Sequence, residues 1–594
     1  MNPRNLFAEL KRRNVIRAMI LYVGAVWALA QGISQLGPSV GAPEWATRWF
    51  LVAAVIGFPF ALVLSWFYEF TPEGLKRESE IEPSESITRH TGRKLDFAII
   101  GVLVVAVVLL LTDRFVLRHG VNETTTVPIP EKSIAVLPFV NMSEDKANEY
   151  FSDGISEELL NLLAKVHELK VTARTSSFSF KGKDLGIPEI ARQLRVAHVL
   201  EGSVRKIGDK LRITTQLIHA ADGFQMWSET YDRKFDDIFK IQDEITADVV
   251  KELKVTLLGP APKARTTDPK AYALYLQAVQ LGRQFTAGAF KQSDALYRKV
   301  LAIDPRYAPA WNGLARNFTN ETGQGLLPGT EGFAQAREAA TKAVTIDPDY
   351  APAHVRLGWI AMYGDNDVAG AAQHFKRALA LDPTDVDVIG NSATLLQSLG
   401  RLDEAVALDE AIVRRDPVNV TALFNLGYHQ RTAGRFDVAI ASYRTVLSLS
   451  PGFGNAHAEL GNALLLKGDA QGALAEIEQE TIELCRMVGL PMAHHALGRK
   501  ADSDTALAAL IAKYEKDGPY NIAWVYAFRG EVDQAFAWLD KAVEYHDPGL
   551  AEIVPENLFD KIHSDPRWLP FLRKIGKAPE QLAKIKFNVT LPPQ

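Results

Sequence analysis

The chain has 594 residues, a formal net charge of −5 and a single cysteine, Cys485. This length is sufficient for several domains with separate hydrophobic cores. The negative charge and the lack of a basic patch with interleaved aromatic residues argue against a nucleic-acid binder, and one cysteine excludes an intramolecular disulfide framework.

Three apolar runs dominate the first 121 residues, at 18–36, 50–67 and 97–117. A helix needs about 20 apolar residues to cross the hydrocarbon core of a bilayer. Lysine and arginine residues cluster before the first run and between the second and third, whereas the loop between the first two has Arg48 as its one basic residue. By the positive-inside rule, this pattern predicts a membrane anchor of three transmembrane helices with a cytoplasmic N-terminus.

The same charge pattern predicts that all residues after the third run are exported. An alternative interpretation of the first run is a cleaved signal peptide, since Ala28-Leu29-Ala30 matches a cleavage site. The apolar run continues past that site and is too long for the core of a signal peptide, which favours the membrane anchor. Both interpretations place the large C-terminal part outside the cytoplasm.

A small mixed α/β domain is predicted at residues 132–258. The segment "SIAVLPFVN" has the pattern of a buried strand, and "SDGISEELLNLLAKV" that of a helix with Ser152 or Asp153 as its N-cap. Alternating polarity on both sides of Gly208-Asp209 indicates a β-hairpin. "GFQMWSETYD" continues the sheet, and "IFKIQDEITADVVKEL" closes the domain as an amphipathic helix.

Several strings in this domain, "SIAVLPF", "YFSDGISEEL", "VLEGSVRK" and "WSETYDR", resemble the TolB-like (FlgO-like) domain. In bacterial proteins that domain stands between a membrane anchor and tetratricopeptide repeats. The N-terminal segments "FAELKRRNVIRAMILYVGAVWALAQ" and "FPFALVLSWFYEFTPEGLKRE" resemble the anchor of the same group. Some relatives add an adenylate cyclase or winged-helix domain on the cytoplasmic side; we expect neither here, since 17 residues precede the first run. The resemblance implies a multi-pass bacterial inner-membrane protein whose C-terminal domains are periplasmic and whose first partner is the lipid bilayer.

A linker at 259–269 leads to a repeated pattern, in which a helical segment ends in Asp-Pro or Ser-Pro. The prolines at the ends of these segments are separated by 43, 35, 34 and 34 residues. A period near 34 is that of the tetratricopeptide repeat (TPR), a helix–turn–helix unit. We predict an all-α solenoid of about eight repeats at 270–548, followed by a C-terminal cap and tail at 549–594 that covers the last apolar face.

The motif positions have a physical logic. Small residues let two helices approach closely, an aromatic residue such as Phe375 fills the space between them, and proline ends the second helix. Glycines such as Gly400 and Gly434 recur at the tight turn between helices, where a positive φ costs glycine little.

The sequence contains no catalytic, cofactor-binding or metal-binding motif that we recognise. Asp153, Glu157 and Glu158 stand together, but at a predicted helix start we interpret them as partners of the helix dipole. Cys485 and the neighbouring pair of histidines have a spacing that fits no standard zinc site. The sequence therefore predicts a protein that is not an enzyme.

The remaining candidate is a binding surface. In the TPR family, the first helix of each repeat lines a concave groove in which protein or peptide partners dock. The residues of this chain that match groove positions are Asn312, Arg316, Trp359, Phe424, Tyr428, Arg431 and Asn462. The predicted function is a non-enzymatic scaffold that presents the α/β module and the solenoid to the periplasm. The alternative is a transmembrane receptor that regulates a cytoplasmic cyclase or transcription regulator.

Overall fold

The computed structural model describes residues 129–166, 168–255 and 262–591, the strands β1 (Tyr68–Thr71) and β2 (Gly74–Arg77), and scattered positions between 19 and 59. The chain divides into two compact units, Met1–Pro128 and Ile129–Gln594. In the first unit β1 and β2 form an antiparallel pair.

The structure overturns the predicted membrane anchor. Among the residues that the structure describes, no helix is both long enough and apolar enough to cross a bilayer. The longest described helix, Gly329–Ile346, has 18 residues and carries charged side chains along its length, whereas a membrane span needs about 20 apolar residues. The predicted fold class with three transmembrane helices and the predicted multi-pass inner-membrane location are therefore corrected. The predicted spans 18–36, 50–67 and 97–117 fall largely outside the described residues.

The second unit begins with a small α/β domain built on a mixed sheet of strand order β5-β3-β6-β7-β8, with the short strand β4 beside β6. The strands are β3 Ser133–Val136, β4 Val140–Asn141, β5 Lys170–Val171, β6 His198–Ile207, β7 Lys210–His219 and β8 Gln225–Lys234. The helices are α1 Glu149–Ala164, α2 Arg174–Phe178, α3 Ile187–Leu194 and α4 Ile238–Glu252.

The strand β3 lies between two parallel neighbours, β5 and β6, and all four of its residues are buried. A parallel strand covered on both faces is largely apolar, which explains why Ile134, Ala135 and Val136 show no alternation of polarity. The predicted hairpin is confirmed: β6 and β7 pair antiparallel, and Gly208 occupies the turn with φ +60°. The strand β8 extends the sheet beside β7, as predicted.

The helix α1 starts at Glu149, three residues before the predicted N-cap at Ser152. A single 3₁₀ turn at 146–148 leads directly into α1, and the Asp145 side chain accepts a hydrogen bond from the Ala147 N–H in that turn. Ser152 is buried inside the helix. The prediction failed because this start is set by a preceding turn and by burial, not by a side chain at the cap.

The rest of the second unit is a helical solenoid. In the described range 262–591, sixteen consecutive helices pair into eight hairpins, which we number as repeats 1 to 8. The first helices are α5 Pro269–Gly282, α7 Ala308–Gly323, α9 Ala351–Gly364, α11 Val386–Ser398, α13 Val420–Thr432, α15 Ala456–Lys467, α17 Glu483–Ala496 and α19 Pro519–Arg529. The second helices are α6 Ala287–Ile303, α8 Gly329–Ile346, α10 Val368–Leu381, α12 Leu402–Arg415, α14 Phe436–Leu449, α16 Ala470–Ile477, α18 Lys500–Tyr514 and α20 Val532–Glu544.

The two helices of a repeat are held together by an aromatic side chain that packs on a glycine. A Cβ atom added to Gly358 would lie 2.6 Å from the ring of Phe375, and one added to Gly427 would lie 2.9 Å from the ring of Tyr443. Both rings are fully buried. The aromatic residue in the second helix and the small residue in the first therefore form one packing unit, which is why both recur along the sequence.

The C-terminal residues follow repeat 8 and turn back along the solenoid. They contain two 3₁₀ turns, Pro548–Glu552 and Asn557–Ile562, and the helices α21 Trp568–Lys574 and α22 Pro579–Leu582. Trp568 packs on the core of the last repeats. Ala551 and Phe587, in contrast, are buried in the same cluster as Phe375 of repeat 3, so the tail also covers the middle of the solenoid.

Candidate partner-binding groove

The first helices line the inner face of the solenoid. The first helices of neighbouring repeats contact one another from α5 through to α19, whereas successive second helices are not in comparably close contact in the described part of the chain. The side on which neighbouring helices lie closest is the concave side of a curved stack. The seven predicted groove residues all belong to first helices of this inner face.

The middle of the groove is filled by the chain itself. Residues 547–562, which we call the groove segment, lie between the first helices of repeats 3, 4 and 8. The Glu552 carboxylate of this segment accepts a hydrogen bond from the Tyr363 hydroxyl at 2.6 Å and another from the Tyr428 hydroxyl at 2.6 Å. The two tyrosines thus clamp one carboxylate of the segment.

A second carboxylate of the segment binds Arg431. The two terminal guanidinium nitrogens of Arg431 donate to the two oxygens of Glu556 at 2.7 and 2.9 Å, and its Nε donates to Glu459 at 2.9 Å. Arg431 and Glu556 are both 0% exposed. Burial opposes the charge on Arg431, but the paired carboxylates of Glu556 and Glu459 raise its pKa well above the ordinary value. This bidentate pair fixes the direction of the groove segment.

Apolar anchors complete the hold on the segment. Ile553, Leu558, Phe559 and Ile562 are at most 1% exposed and belong to the cluster that includes Tyr520 of repeat 8. The groove segment is thus bound as a peptide ligand would be, with apolar anchors in pockets and charged groups paired at fixed points.

Two further predicted groove residues are covered in the same region. Phe424 packs on the rings of Tyr443 and Phe453, with centroids 5.7 and 5.3 Å away. The Asn462 side-chain amide donates to Glu459 at 3.4 Å, and its Oδ1 is buried without a hydrogen-bond partner in the described chain. Phe424 therefore contributes to packing between helices.

The other three predicted residues lie in repeats 2 and 3, away from the hydrogen bonds of the groove segment. The Trp359 ring packs on Tyr363, with centroids 4.8 Å apart. Asn312 Oδ1 and one terminal nitrogen of Arg316, Nη2, are buried and have no hydrogen-bond partner among the described residues. Buried polar atoms nearly always have hydrogen-bond partners in folded proteins. These two atoms are therefore candidates for hydrogen bonds with a bound partner.

One functional candidate in this region was missed by the sequence analysis. Arg356, on α9, donates from Nη1 to the Thr319 hydroxyl at 3.1 Å, while its Nε is buried without a partner in the described chain. Burial, with the neighbouring positive charge of Arg316, lowers the pKa of Arg356 to about 10. On the same helix the motif selected Trp359, three residues after Arg356, and not Arg356 itself.

The three carboxylates interpreted as partners of the helix dipole have another role. Glu157 lies in the third turn of α1, where its oxygens accept hydrogen bonds from Arg174 at 2.8 Å and from Arg283 of the solenoid at 2.5 and 2.6 Å. Burial opposes the charge on Glu157, but Arg283 above all lowers its pKa to about 2. Burial raises the pKa of its neighbour Glu158 to about 7. Glu157 thus joins the α/β domain to the solenoid, whereas Asp153 is paired within the α/β domain.

The aspartates of the recurring Asp-Pro turns have a structural function at the same junction. In three of these turns the carboxylate accepts a hydrogen bond from the α/β domain or from the linker that follows it. The pairs are Thr267 Oγ1 to Asp304 at 2.6 Å, Arg265 Nε to Asp347 at 2.9 Å and Ala173 N to Asp416 at 3.1 Å. The turns therefore form one edge of the solenoid along which the α/β domain is attached.

The single cysteine and the potential metal-ligating side chains are the remaining chemical candidates. Burial raises the pKa of the Cys485 thiol to about 12, so this thiol is a poor nucleophile. In the described part of the chain, no group of three or more histidine, cysteine, aspartate or glutamate side chains is arranged to hold a metal ion.

Two parts of the chain match known families. Residues 329–386, 391–452 and 429–485 match the tetratricopeptide repeat family. Residues 130–248 match the second domain of HilA/YgeH-like transcriptional regulators. The TolB-like assignment of the same α/β domain stays a prediction.

Two curated relatives match parts of the chain. One is the Rhizobium meliloti (strain 1021) protein named Putative adenylate cyclase 3, which is 39% identical over 238 residues, or 39% of this chain and 40% of that protein. The other is the Tetratricopeptide repeat and J domain-containing co-chaperone DNJ1 of Fusarium oxysporum f. sp. lycopersici, 34% identical over 129 residues, or 21% of this chain and 23% of that protein. The matched region thus spans less than half of either relative.

Among solved structures, the human IFIT1 dimer with m7Gppp-AAAA is similar at a TM-score of 0.34 and 14% identity, over 51% of this chain and 77% of that chain. A similarity at this level carries no argument about the fold or the function. From the family matches and the geometry together, the chain contains a tetratricopeptide solenoid of the protein-interaction class, preceded by an α/β domain that matches HilA/YgeH-like regulators.

Proposed function

We propose that this chain is a scaffold that binds a partner polypeptide in the concave groove of its tetratricopeptide repeats. The observation that supports the proposal is the groove segment. Predicted groove residues Tyr428 and Arg431 hold it through a hydroxyl–carboxylate bond and a bidentate ion pair. The groove therefore has side chains that can select and orient a peptide.

The free place for a partner is the part of the groove in repeats 2 and 3. Asn312 and Arg316 present buried polar atoms there that have no partner in the described part of the chain, whereas Arg431 is saturated by Glu459 and Glu556. An external segment gains most where its polar groups satisfy unpaired atoms of the surface, because leaving them unpaired costs about 1–3 kcal/mol each.

Site-specific photo-crosslinking tests this proposal. A benzophenone amino acid is introduced at Asn312 in the open part of the groove, at Tyr428 in the filled part, or at the exposed Lys376 on a second helix. We expect the probe at 312 to give a crosslinked complex with one partner protein in cells. The probe at 428 should give crosslinks within the chain, and the probe at 376 should give neither.

A partner identified at position 312 should then bind the purified chain and should bind an Asn312→Asp variant more weakly. Crosslinks of equal yield from 312 and 376 would mean that the groove is not the recognition surface. A partner that crosslinks at 428 instead would mean that the groove segment leaves its place in cells.

A second candidate is a regulatory subunit, favoured by the similarity of part of the chain to the protein named Putative adenylate cyclase 3 and by the match to HilA/YgeH-like regulators. In this proposal the solenoid binds its partner and the α/β domain communicates the binding to a cyclase or a transcription regulator. If this candidate holds, deletion of the gene should change the cellular level of cyclic AMP or the pattern of transcription across the genome. If neither the cyclic AMP level nor transcription changes, the regulatory role is contradicted and the scaffold proposal stands without it.

A further inference from the structure

The groove has two arginine sites that can be compared: a filled site, where carboxylates pair with the guanidinium, and an unfilled site, where none does in the described chain. At the filled site, Arg431 of repeat 5 is fully buried and its guanidinium meets two carboxylates. One of these, Glu459, belongs to the neighbouring first helix, and the other, Glu556, arrives with the groove segment. A buried guanidinium in this groove is thus neutralised partly by the surface and partly by the bound peptide.

At the unfilled site, two arginines lie side by side on neighbouring first helices. Arg316 Nη2 and Arg356 Nε are buried and unpaired in the described chain. Arg356 has its one hydrogen bond to a neutral group, the Thr319 hydroxyl at 3.1 Å. The two like charges are close enough for Arg316 to lower the pKa of Arg356, next to the larger effect of burial.

The nearby carboxylates do not neutralise this pair. Both oxygens of Glu157 are taken by Arg174 and Arg283. The charge of Asp387, at the start of α11, partly offsets the effect of burial on the pKa of Arg356 without forming an ion pair, and the Asp387 side chain is exposed. No carboxylate of the described residues lies within ion-pair distance of either Arg316 or Arg356. The site therefore has a local excess of positive charge on two partly buried side chains.

We infer that Arg316 and Arg356 form a subsite for a carboxylate side chain of the partner polypeptide. The inference rests on the proposed function, which it deepens by naming the chemistry of the partner: an acidic segment like the groove segment. The planar fork of arginine matches a carboxylate with two parallel hydrogen bonds. The unpaired Asn312 Oδ1 beside them accepts a hydrogen bond from a peptide N–H.

The sequence of the groove segment supplies a probe. A fluorescent peptide of residues 547–562, DPGLAEIVPENLFDKI, carries four acidic residues. The neutral control peptide has Asn in place of each Asp and Gln in place of each Glu. Fluorescence anisotropy measures the affinity of both peptides for the intact chain, for Arg316→Gln, for Arg356→Gln and for Arg444→Gln, where Arg444 is an exposed arginine on a second helix.

We expect the acidic peptide to bind the intact chain at least about tenfold more tightly than the neutral peptide, because hydrogen bonds between charged groups are stronger than those between neutral groups. Each groove variant should abolish that preference, while Arg444→Gln keeps it. Arg356→Met should raise the melting temperature, because it removes a desolvated charge without a partner. A variant of Arg356 that is more stable but binds the peptide more weakly identifies Arg356 as a binding residue, because loss of a structural residue would lower the stability.

Two results would overturn the inference and leave the scaffold proposal standing: equal affinity for the two peptides, or a preference that survives both groove variants. If neither peptide binds, the inference is also overturned, and the crosslinking at Asn312 then decides separately whether the groove binds a polypeptide. A single-stranded RNA oligonucleotide that binds the intact chain and loses affinity in the same variants would assign the two arginines to phosphate.

Discussion

At the scale of single residues, the groove shows how the same residue type can be structural in one repeat and available in another. Tyr428 and Arg431, which the motif selected, lie on the first helix α13. The motif did not indicate that Glu552 and Glu556, more than a hundred residues later, bind them. Contacts between segments so distant in the sequence have no local pattern, so this part of the site was beyond sequence analysis.

Replacement of Arg431 by methionine should be strongly destabilising. The substitution leaves the Glu556 and Glu459 carboxylates buried without their cation, and loss of one partner of a buried ion pair costs about 3–5 kcal/mol. Thermal unfolding of the full chain measures the effect. The triple change Arg431→Met, Glu556→Gln and Glu459→Gln should recover part of the loss. A single variant as stable as the parent would show that the ion pair is not formed in solution.

Lys577 predicts how stability depends on pH. Its ammonium group is 0% exposed, donates to the Ala551 carbonyl at 3.2 Å, and has its pKa lowered by burial from 10.5 to about 7. Between these values the unfolded chain binds more protons than the folded chain, so the contribution of Lys577 to stability rises with pH. Below about pH 7 the folded chain bears the full cost of the buried charge.

Lys577→Met should therefore raise the melting temperature more at pH 6.5 than at pH 9. The exposed Lys500, paired with Asp504 on the protein surface, provides the control, because Lys500→Met should have a small effect at both pH values. A pH-independent effect of Lys577→Met would mean that Lys577 is solvated in the folded protein.

At the scale of the elements, local rules predicted the repeats well and the ends of elements less well. The 34-residue period, the aromatic residue and the glycine turns each arise from contacts within one helix hairpin. The start of α1, in contrast, depends on a 3₁₀ turn that has no distinct signal in "DKANEYFSDG". The match of three sequence segments to the repeat family shows the same strength of local pattern.

The packing unit of Phe375 and Gly358 gives a test at this scale. Phe375→Ala should cost about 3–5 kcal/mol, because it leaves a cavity between α9 and α10 that the helices cannot close. Solenoid repeats couple mainly to their neighbours, so hydrogen exchange should accelerate in repeats 2 to 4 and in the tail around Phe587, which shares the cluster. The α/β domain should keep its protection. Equal acceleration in the α/β domain would mean that the whole second unit unfolds together.

At the scale of the whole molecule, the Asp-Pro turns connect the α/β domain to the solenoid. The sequence explained these turns as helix ends, and the structure adds that their aspartates accept hydrogen bonds from the α/β domain and its linker. The prediction of a membrane anchor failed at this scale: it rested on apolar runs, on the distribution of basic residues and on a family resemblance, and no described helix is able to span a bilayer. Domain attachment is a property of surfaces and has no periodic signal in the sequence.

The attachment predicts a second pH dependence, opposite in sign to that of Lys577. Burial raises the pKa of Asp416 from 3.8 to about 6, although its carboxylate accepts the Ala173 N–H at 3.1 Å. Between these values the folded chain binds more protons than the unfolded chain, so the contribution of Asp416 to stability is present at pH 4 and is lost as the pH rises through 6. At neutral pH the junction thus contains a carboxylate that would be more favourable if it were uncharged.

Asp416→Asn should consequently stabilise the junction at pH 7.5 and have little effect near pH 4. The amide oxygen of asparagine can still accept the Ala173 N–H, and the variant has no charge to bury. Hydrogen exchange of residues 170–180 at the two pH values measures the junction directly, because local opening exposes this segment before the solenoid unfolds. Asp437→Asn, on an exposed second-helix side chain paired with Lys467, is the matched control and should leave the exchange unchanged. Faster exchange in Asp416→Asn at pH 7.5 would contradict the prediction and would mean that the negative charge itself holds the α/β domain to the solenoid.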